Sequence, residues 1–72
     1  MNYQVHLCNE GGLALKTFNT SNLELAVETA GKWHELMLQR LAPVTYRQAQ
    51  FVVIHKRNAQ GDFDGIASFH HH

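Results

Sequence analysis

The sequence predicts an α+β domain in which one helix packs on one face of a three- to four-stranded antiparallel sheet, in the order β-β-α-β-β. Three observations support this fold class. Residues 3–18 alternate apolar and polar side chains on both sides of a Gly-Gly pair, as a β-hairpin does. Residues 23–41 repeat apolar side chains with the period of a helix. Residues 51–55 and 63–69 again favour strands.

The first two strands are predicted to form the hairpin. Residues 3–8 and 13–18 alternate as half-buried strands do, and Gly11 and Gly12 between them supply the positive φ angles of a tight turn. Alternation also divides the sheet between a face covered by the helix and an uncovered face. We expect the covered face to carry Val5, Leu7, Leu13, Leu15, Val52 and Ile54. We expect the uncovered face to carry His6, Cys8, Phe18, Phe51, Val53 and His55.

The helix is predicted to run from Leu23 to Leu41. Ser21 and Glu24 have the spacing of a capping box, and Pro43 prevents the helix from continuing. At 100° per residue, the side chains that form one broad apolar stripe are Leu23, Ala26, Val27, Ala30, His34, Met37, Leu38 and Leu41. We expect this stripe to face the sheet.

The last two strands are predicted at Phe51–His55, with an earlier start near Tyr46 as the alternative, and at Phe63–Phe69, with a turn at residues 58–62. Short connections place the third strand beside the first, which gives the sheet order 2-1-3-4. Residues 1–69 then form a single domain. The final histidines, 70–72, look like a purification tag and are excluded from function.

Composition limits the classes of function. Six Lys and Arg residues balance six Asp and Glu residues, whereas a generic nucleic-acid binder carries a basic excess. The single cysteine, Cys8, cannot form an internal disulfide, so we expect a reducing, cytoplasmic setting. No signal peptide or membrane-spanning apolar run is recognised. A chain this small needs good packing or oligomerisation for stability, which favours a homodimer.

The uncovered sheet face is the first candidate binding surface. Its apolar side chains, Phe18, Phe51 and Val53, exceed what a solvated face requires. We expect it to bind a protein partner or a second copy, with His55 taking part and Lys56 and Arg57 at its rim. The alternative is a nucleic-acid-binding module that stacks bases on the same face, with phosphate contacts from Lys16, Arg47, Lys56 and Arg57.

A second candidate surface lies on one flank of the helix, where Leu25, Trp33 and Leu36 fall away from the centre of the stripe. Either a strand end or the 42–50 segment covers these side chains, or they contact a partner or a second subunit. The sequence does not decide between these two interpretations.

No catalytic, metal or cofactor site is predicted. Cys8 and His6 are two residues apart on a strand without a third group to orient them. The same two residues with His55 make only a weak zinc set. His34 is best interpreted as a partly buried histidine with a backbone partner. We therefore predict a non-enzymatic protein that binds a macromolecular partner.

A family resemblance favours the same function. The strand Tyr3-Gln4-Val5, the Gly11-Gly12 turn and the helix Leu23–Ala30 with Trp33 resemble some phage anti-CRISPR proteins. These are compact β-β-α-β-β domains encoded by phages and mobile elements. The resemblance implies an inhibitor that blocks a nucleic-acid-processing complex by binding to it. It rests on the order of elements, so it assigns no functional residue.

Overall fold

A computed structural model describes residues 2–39 and 42–70 and confirms the α+β class. The elements are β1 (Tyr3–Cys8), β2 (Ala14–Thr20), α1 (Leu23–Leu38), α2 (Val44–Arg47), β3 (Phe51–Arg57) and β4 (Phe63–His70). The four strands form one antiparallel sheet in the order β2-β1-β3-β4, which confirms the predicted strand order. Strands β2 and β4 are therefore the two edges. Within the described ranges, no helix is long and apolar enough to cross a membrane.

The β1–β2 hairpin contains a bulge that changes which β2 side chains face the helix. Its turn has Gly12 at φ +83°, as predicted, but Gly11 does not have the positive φ predicted for it. Val5 pairs with Phe18 and Leu7 with Lys16, but Cys8 pairs with Ala14, so Leu15 is an additional residue in β2. Directly paired residues share a face, which places Phe18 beside Val5 on the helix side. The prediction that Phe18 lies on the uncovered face is therefore wrong.

The same shift in register between β1 and β2 explains where the side chains of Leu13 and Leu15 lie. Leu13 precedes β2 and is 66% exposed, so its predicted place on the covered face is wrong. Leu15, at the bulge, is partly buried against the core as expected.

The helix α1 begins at Leu23 as predicted, but its N-cap is one residue later than the capping-box spacing indicates. Asn22 is the N-cap, and its Oδ1 accepts a hydrogen bond from the Leu25 N–H at 3.2 Å. The predicted capping box of Ser21 and Glu24 is therefore wrong. The helix ends at Leu38, and Gln39 is its C-cap. The predicted end, Leu41, lies outside the described residues.

The buried strip of the helix surface is narrower than the predicted apolar stripe. The buried residues are Ala26, Ala30, Trp33 and Met37. Leu23, Val27 and Leu38 remain between 45% and 49% exposed, so their prediction as core residues is wrong. Relative to the predicted stripe, the buried line is rotated by about 50° toward β2 at 100° per residue. This rotation brings the Trp33 indole into the core.

The core lies between the sheet and the two helices. Val5, Leu7, Val52 and Ile54 are fully buried on the covered face, as the alternation predicts. Tyr46 and Ala49 close the core at the side of Trp33. Tyr46 belongs to α2, so its prediction as the start of a strand is wrong.

Strand β4 extends through His70, one residue beyond the predicted domain limit. Its turn from β3 is held by Asn58, whose Oδ1 accepts hydrogen bonds from the N–H groups of Gln60 and Asp62, both at 3.0 Å. A second bulge opposite Ile54 and His55 bends this edge of the sheet. Phe69 packs against the core, but most other β4 side chains are exposed.

Candidate functional site

The sheet face opposite α1, here called the open face, contains a shallow apolar depression of about 390 Å³. Its position follows from the register, because the paired residues of β1 and β3 place their side chains on the same face. His6 lies opposite Val53, and Cys8 lies opposite Phe51. The residues that line the depression are His6, Cys8, Gly12, Ala14, Phe51, Val53 and His55. The predicted site residues Phe51, Val53 and His55 are thus brought together.

His6 is held at one edge of this depression by uncharged partners. The Thr17 hydroxyl lies 3.0 Å from Nδ1, and the Gln4 Oε1 lies 3.1 Å from Nε2. These partners suit the neutral tautomer in which Nε2–H donates to Gln4 and the Thr17 hydroxyl donates to Nδ1. The His55 ring lies 5.2 Å away, centroid to centroid. Burial, and secondarily the nearby His55, lower the pKa of His6.

Cys8 forms part of the floor of the depression and is 5% exposed. Burial raises the pKa of its thiol, so the thiol stays protonated at neutral pH and is a poor nucleophile. Among the described residues, no group of three or more His, Cys, Asp and Glu side chains is arranged to hold a metal ion. The depression is therefore apolar at its centre and has imidazole rings at its edge.

Aromatic side chains extend the open face toward β4. The Phe51 ring stacks on the His70 ring at 5.6 Å, and the Arg57 guanidinium lies 5.2 Å from the centroid of the Phe63 ring. Lys56 pairs with Tyr3, whose side chain packs against the core. By strand alternation, Lys56 therefore lies on the side of the helix, while Arg57 lies on the open face.

A second concavity, here called the helix–β2 groove, lies between α1 and the edge strand β2 and measures about 450 Å³. It contains the predicted helix flank together with the displaced Phe18. The residues that line it are Lys16, Phe18, Leu25, Glu28, Thr29, Lys32, Trp33, Leu36 and Tyr46. Trp33 is only 6% exposed and forms part of the core, whereas Leu25 is 41% exposed. Trp33 is therefore covered, as the first of the two interpretations expects, whereas partner contact at the exposed Leu25 stays a prediction.

Lys16 is fixed over the inner part of this groove. Its Nζ donates a hydrogen bond to the Tyr46 hydroxyl at 2.8 Å. The same ammonium lies 5.3 Å from the centroid of the Trp33 ring and 5.2 Å from that of Tyr46. The contact between Lys16 and Tyr46 could not be predicted from the sequence, because the two residues are thirty positions apart and no local pattern joins them.

The remaining histidine behaves as predicted. The His34 Nε2 lies 3.2 Å from the His70 carbonyl oxygen, and its ring lies 5.7 Å from the Phe69 ring. His34 is partly buried between α1 and β4. The interpretation of His34 as a partly buried histidine with a backbone partner is confirmed.

Comparisons with protein-family models, curated proteins and solved structures found no significant match to this chain.

Proposed function

We propose that this chain is a non-enzymatic interaction protein that forms a homodimer through its open face and binds a protein partner. The observation that carries the proposal is the apolar depression around Cys8, Phe51 and Val53 on the sheet face opposite α1. One helix covers only one side of a four-stranded sheet, so the partly exposed side chains of Phe51 and Val53 are available to a second copy.

The layout of the open face suits an interface. Its centre is apolar, and the polar side chains of Gln4 and Thr17 lie around His6 at the margin. Interfaces share this arrangement of an apolar centre and a polar rim, and aromatic residues are enriched in them. Because the open face is antiparallel sheet, a second copy can pack face to face with it, as the two sheets of a β-sandwich do.

The same face favours binding over catalysis. Its one thiol, on Cys8, has a raised pKa, and the contacts of His6 are a hydroxyl, an amide and another imidazole. A catalytic histidine needs a nucleophile to activate and a group that orients it. The hydrogen bonds of His6 instead fix the ring as part of a surface.

A protein is a better partner than a nucleic acid because the basic side chains are dispersed. Lys16 and Lys32 lie in the helix–β2 groove, Lys56 lies on the helix side, and Arg57 lies on the open face. Nucleic-acid binding needs several cations along one surface, since each phosphate contact adds to affinity. The resemblance to phage anti-CRISPR proteins would make the partner a component of a nucleic-acid-processing complex, inhibited when its surface is covered.

The substitution Val53→Glu tests the dimer. Val53 lies at the centre of the open face, between His6 on β1 and Ser68 on β4. We expect the wild-type chain to show twice its monomer mass by light scattering at micromolar concentration. A glutamate at position 53 places a charge at the centre of the interface, so the variant should be a folded monomer.

Leu25→Glu is the matched control. Leu25 is exposed on α1, on the opposite side of the sheet, and this variant should keep the dimer mass. Far-UV circular dichroism establishes that both variants are folded. A monomeric wild-type chain, or a Val53→Glu variant with the mass of a dimer, contradicts the proposed interface.

A further inference from the structure

We propose that the helix–β2 groove binds an extended peptide segment of a partner, which adds to the sheet as a fifth strand beside β2. The segment would carry apolar side chains at alternate positions and one carboxylate. This inference rests on the proposed function, because it names the chemistry of the protein partner, but it concerns a different surface from the dimer interface.

The backbone of β2 is oriented to receive such a strand. The Arg57 N–H donates to the Asn2 carbonyl at 2.7 Å, so the backbone polar groups of Asn2 point toward β3. Alternation along β1 then directs those of Val5 and Leu7 toward β2. Their partners, Phe18 and Lys16, are thus engaged with β1.

The intervening residues of β2 are available at the edge. By the same alternation, the N–H and C=O groups of Thr17 and Asn19 point away from the sheet. Such a row of outward-facing groups is the template to which an extended peptide adds by β-augmentation. A peptide strand beside β2 would have main-chain hydrogen bonds with these two residues.

The groove supplies the side-chain contacts. A strand beside β2 would direct every second side chain toward α1, where Leu25, Leu36 and Phe18 line the groove. These side chains provide apolar contact for two residues of the segment, spaced two apart. Their placement above the outer edge of β2 gives the groove the form in which peptide-binding domains combine a sheet edge with a helix.

The positive charge of the groove indicates that the bound segment carries a carboxylate. Two lysines, Lys16 and Lys32, and one glutamate, Glu28, line the groove, which leaves a formal excess of one positive charge. The Tyr46 hydroxyl accepts one hydrogen bond from the Lys16 ammonium, which has three N–H donors. The ammonium is already positioned over two aromatic rings, so pairing with an acidic side chain requires little further ordering.

The probe for this site is a random library of ten-residue peptides, selected by mRNA display against the purified chain. We expect enriched peptides to alternate apolar residues and to contain one Asp or Glu. The enriched peptide is then synthesised, and its dissociation constant is measured by fluorescence anisotropy with the wild-type chain. Failure to enrich any peptide, or enrichment of helical or basic sequences, overturns the proposal.

Thr17→Pro and Thr17→Ala separate main-chain recognition from other contacts. Proline removes the outward N–H at position 17 and is tolerated on an edge strand whose N–H faces solvent. Alanine removes the same hydroxyl but keeps the N–H. We expect proline to weaken peptide binding about tenfold or more and alanine to weaken it less than about threefold. Equal affinities of the two variants overturn strand addition.

A scan of N-methylated peptides gives a second test that leaves the protein unchanged. Methylation of peptide amides that face β2 should abolish binding, and methylation of the alternate amides should not. A uniform response along the peptide contradicts strand addition even if Thr17→Pro fails to fold. A monomeric wild-type chain that still binds the peptide overturns only the dimer, and a dimer that binds no peptide overturns only this inference.

Discussion

The surroundings of His6 illustrate how one residue can make the stability of the whole domain depend on pH. Its ring is partly buried on the open face, has hydrogen bonds to two uncharged side chains and lies beside His55. Burial disfavours the imidazolium, and a positive charge on His55 would repel it. Sequence alternation places both histidines on one face, but their contact depends on the pairing of β1 with β3.

The lowered pKa of His6 predicts a loss of stability in acid. The unfolded chain takes up a proton on His6 near the ordinary pKa of about 6.5, whereas the folded chain resists protonation until lower pH. The stabilising contribution is therefore fully present above about pH 6.5 and is lost as pH falls toward the lowered folded value. Urea unfolding between pH 7.5 and pH 5 should show a falling midpoint.

The variant His6→Gln provides the control for this prediction. Glutamine keeps a hydrogen-bonding side chain but does not titrate, so the midpoint of the variant should fall less than that of the wild-type chain over the same range. If the urea midpoints of the two proteins fell in parallel with pH, groups other than His6 would cause the loss of stability in acid.

Phe18 shows the limit of sequence interpretation at the residue scale. Strict alternation places it on the uncovered face, and the bulge at Leu15 moves it to the helix side. No local signal marks this bulge, because neither glycine nor proline occurs at the position. A single additional residue therefore moved one predicted contact residue from the open face to the helix–β2 groove.

At the scale of elements, β1, β3 and the turns could be predicted because their signals are local. Alternation at Val5 and Leu7 and the glycines of the turn depend on neighbouring residues alone. The phase of α1, meaning which line of its surface faces the sheet, could not be predicted in the same way. Apolar side chains cover more of this helix than the sheet can bury, so the buried line depends on contacts from distant segments.

Two of those contacts account for the observed phase of α1. Ala26 and Ala30, both fully buried, let the helix lie close to the sheet. Tyr46 of α2 packs in the same core as Trp33 and favours burial of the indole over burial of Val27 or Leu38. Leu23, Val27 and Leu38 thus remain exposed on the side of α1 away from β2.

Adjacent substitutions on α1 test this phase. Met37 is 4% exposed and Leu38 is 49% exposed, although both belong to the predicted stripe. We expect Met37→Ala to lower the free energy of unfolding by about 2–5 kcal/mol because it leaves a cavity. Leu38→Ala should change it by less than about 0.5–1 kcal/mol, since its side chain is half solvated.

Chemical denaturation of the two variants measures the difference. Both substitutions create alanine at neighbouring helix positions, so helix propensity contributes similarly and burial is the main difference between them. Equal losses, or a larger loss for Leu38→Ala, would indicate that the predicted stripe rather than the observed line faces the sheet. A largely unfolded Met37→Ala variant is also a result in the expected direction, because a domain of this size has little stability to lose.

At the scale of the whole molecule, the strand order β2-β1-β3-β4 follows from short connections and alternating strand direction, so it could be predicted. Among the described residues, the same topology leaves the open face and the outer edges of both β2 and β4 unpartnered. Predicted contact residues lie at two of these places: Phe51, Val53 and His55 lie on the open face, and Leu25 and Leu36 line the groove beside β2. We therefore propose that one side of the molecule dimerises while the other binds a partner.

The measurement that tests the proposed dimer most directly is an isotope-filtered NOE experiment on an equal mixture of ¹³C-labelled and unlabelled chains. Face-to-face packing of two open faces predicts intermolecular NOEs from the methyl groups of labelled Val53 to the ring of Phe51 in the unlabelled copy. Intermolecular NOEs confined to α1, or none at Val53 under conditions in which the chain has twice its monomer mass, would contradict the account.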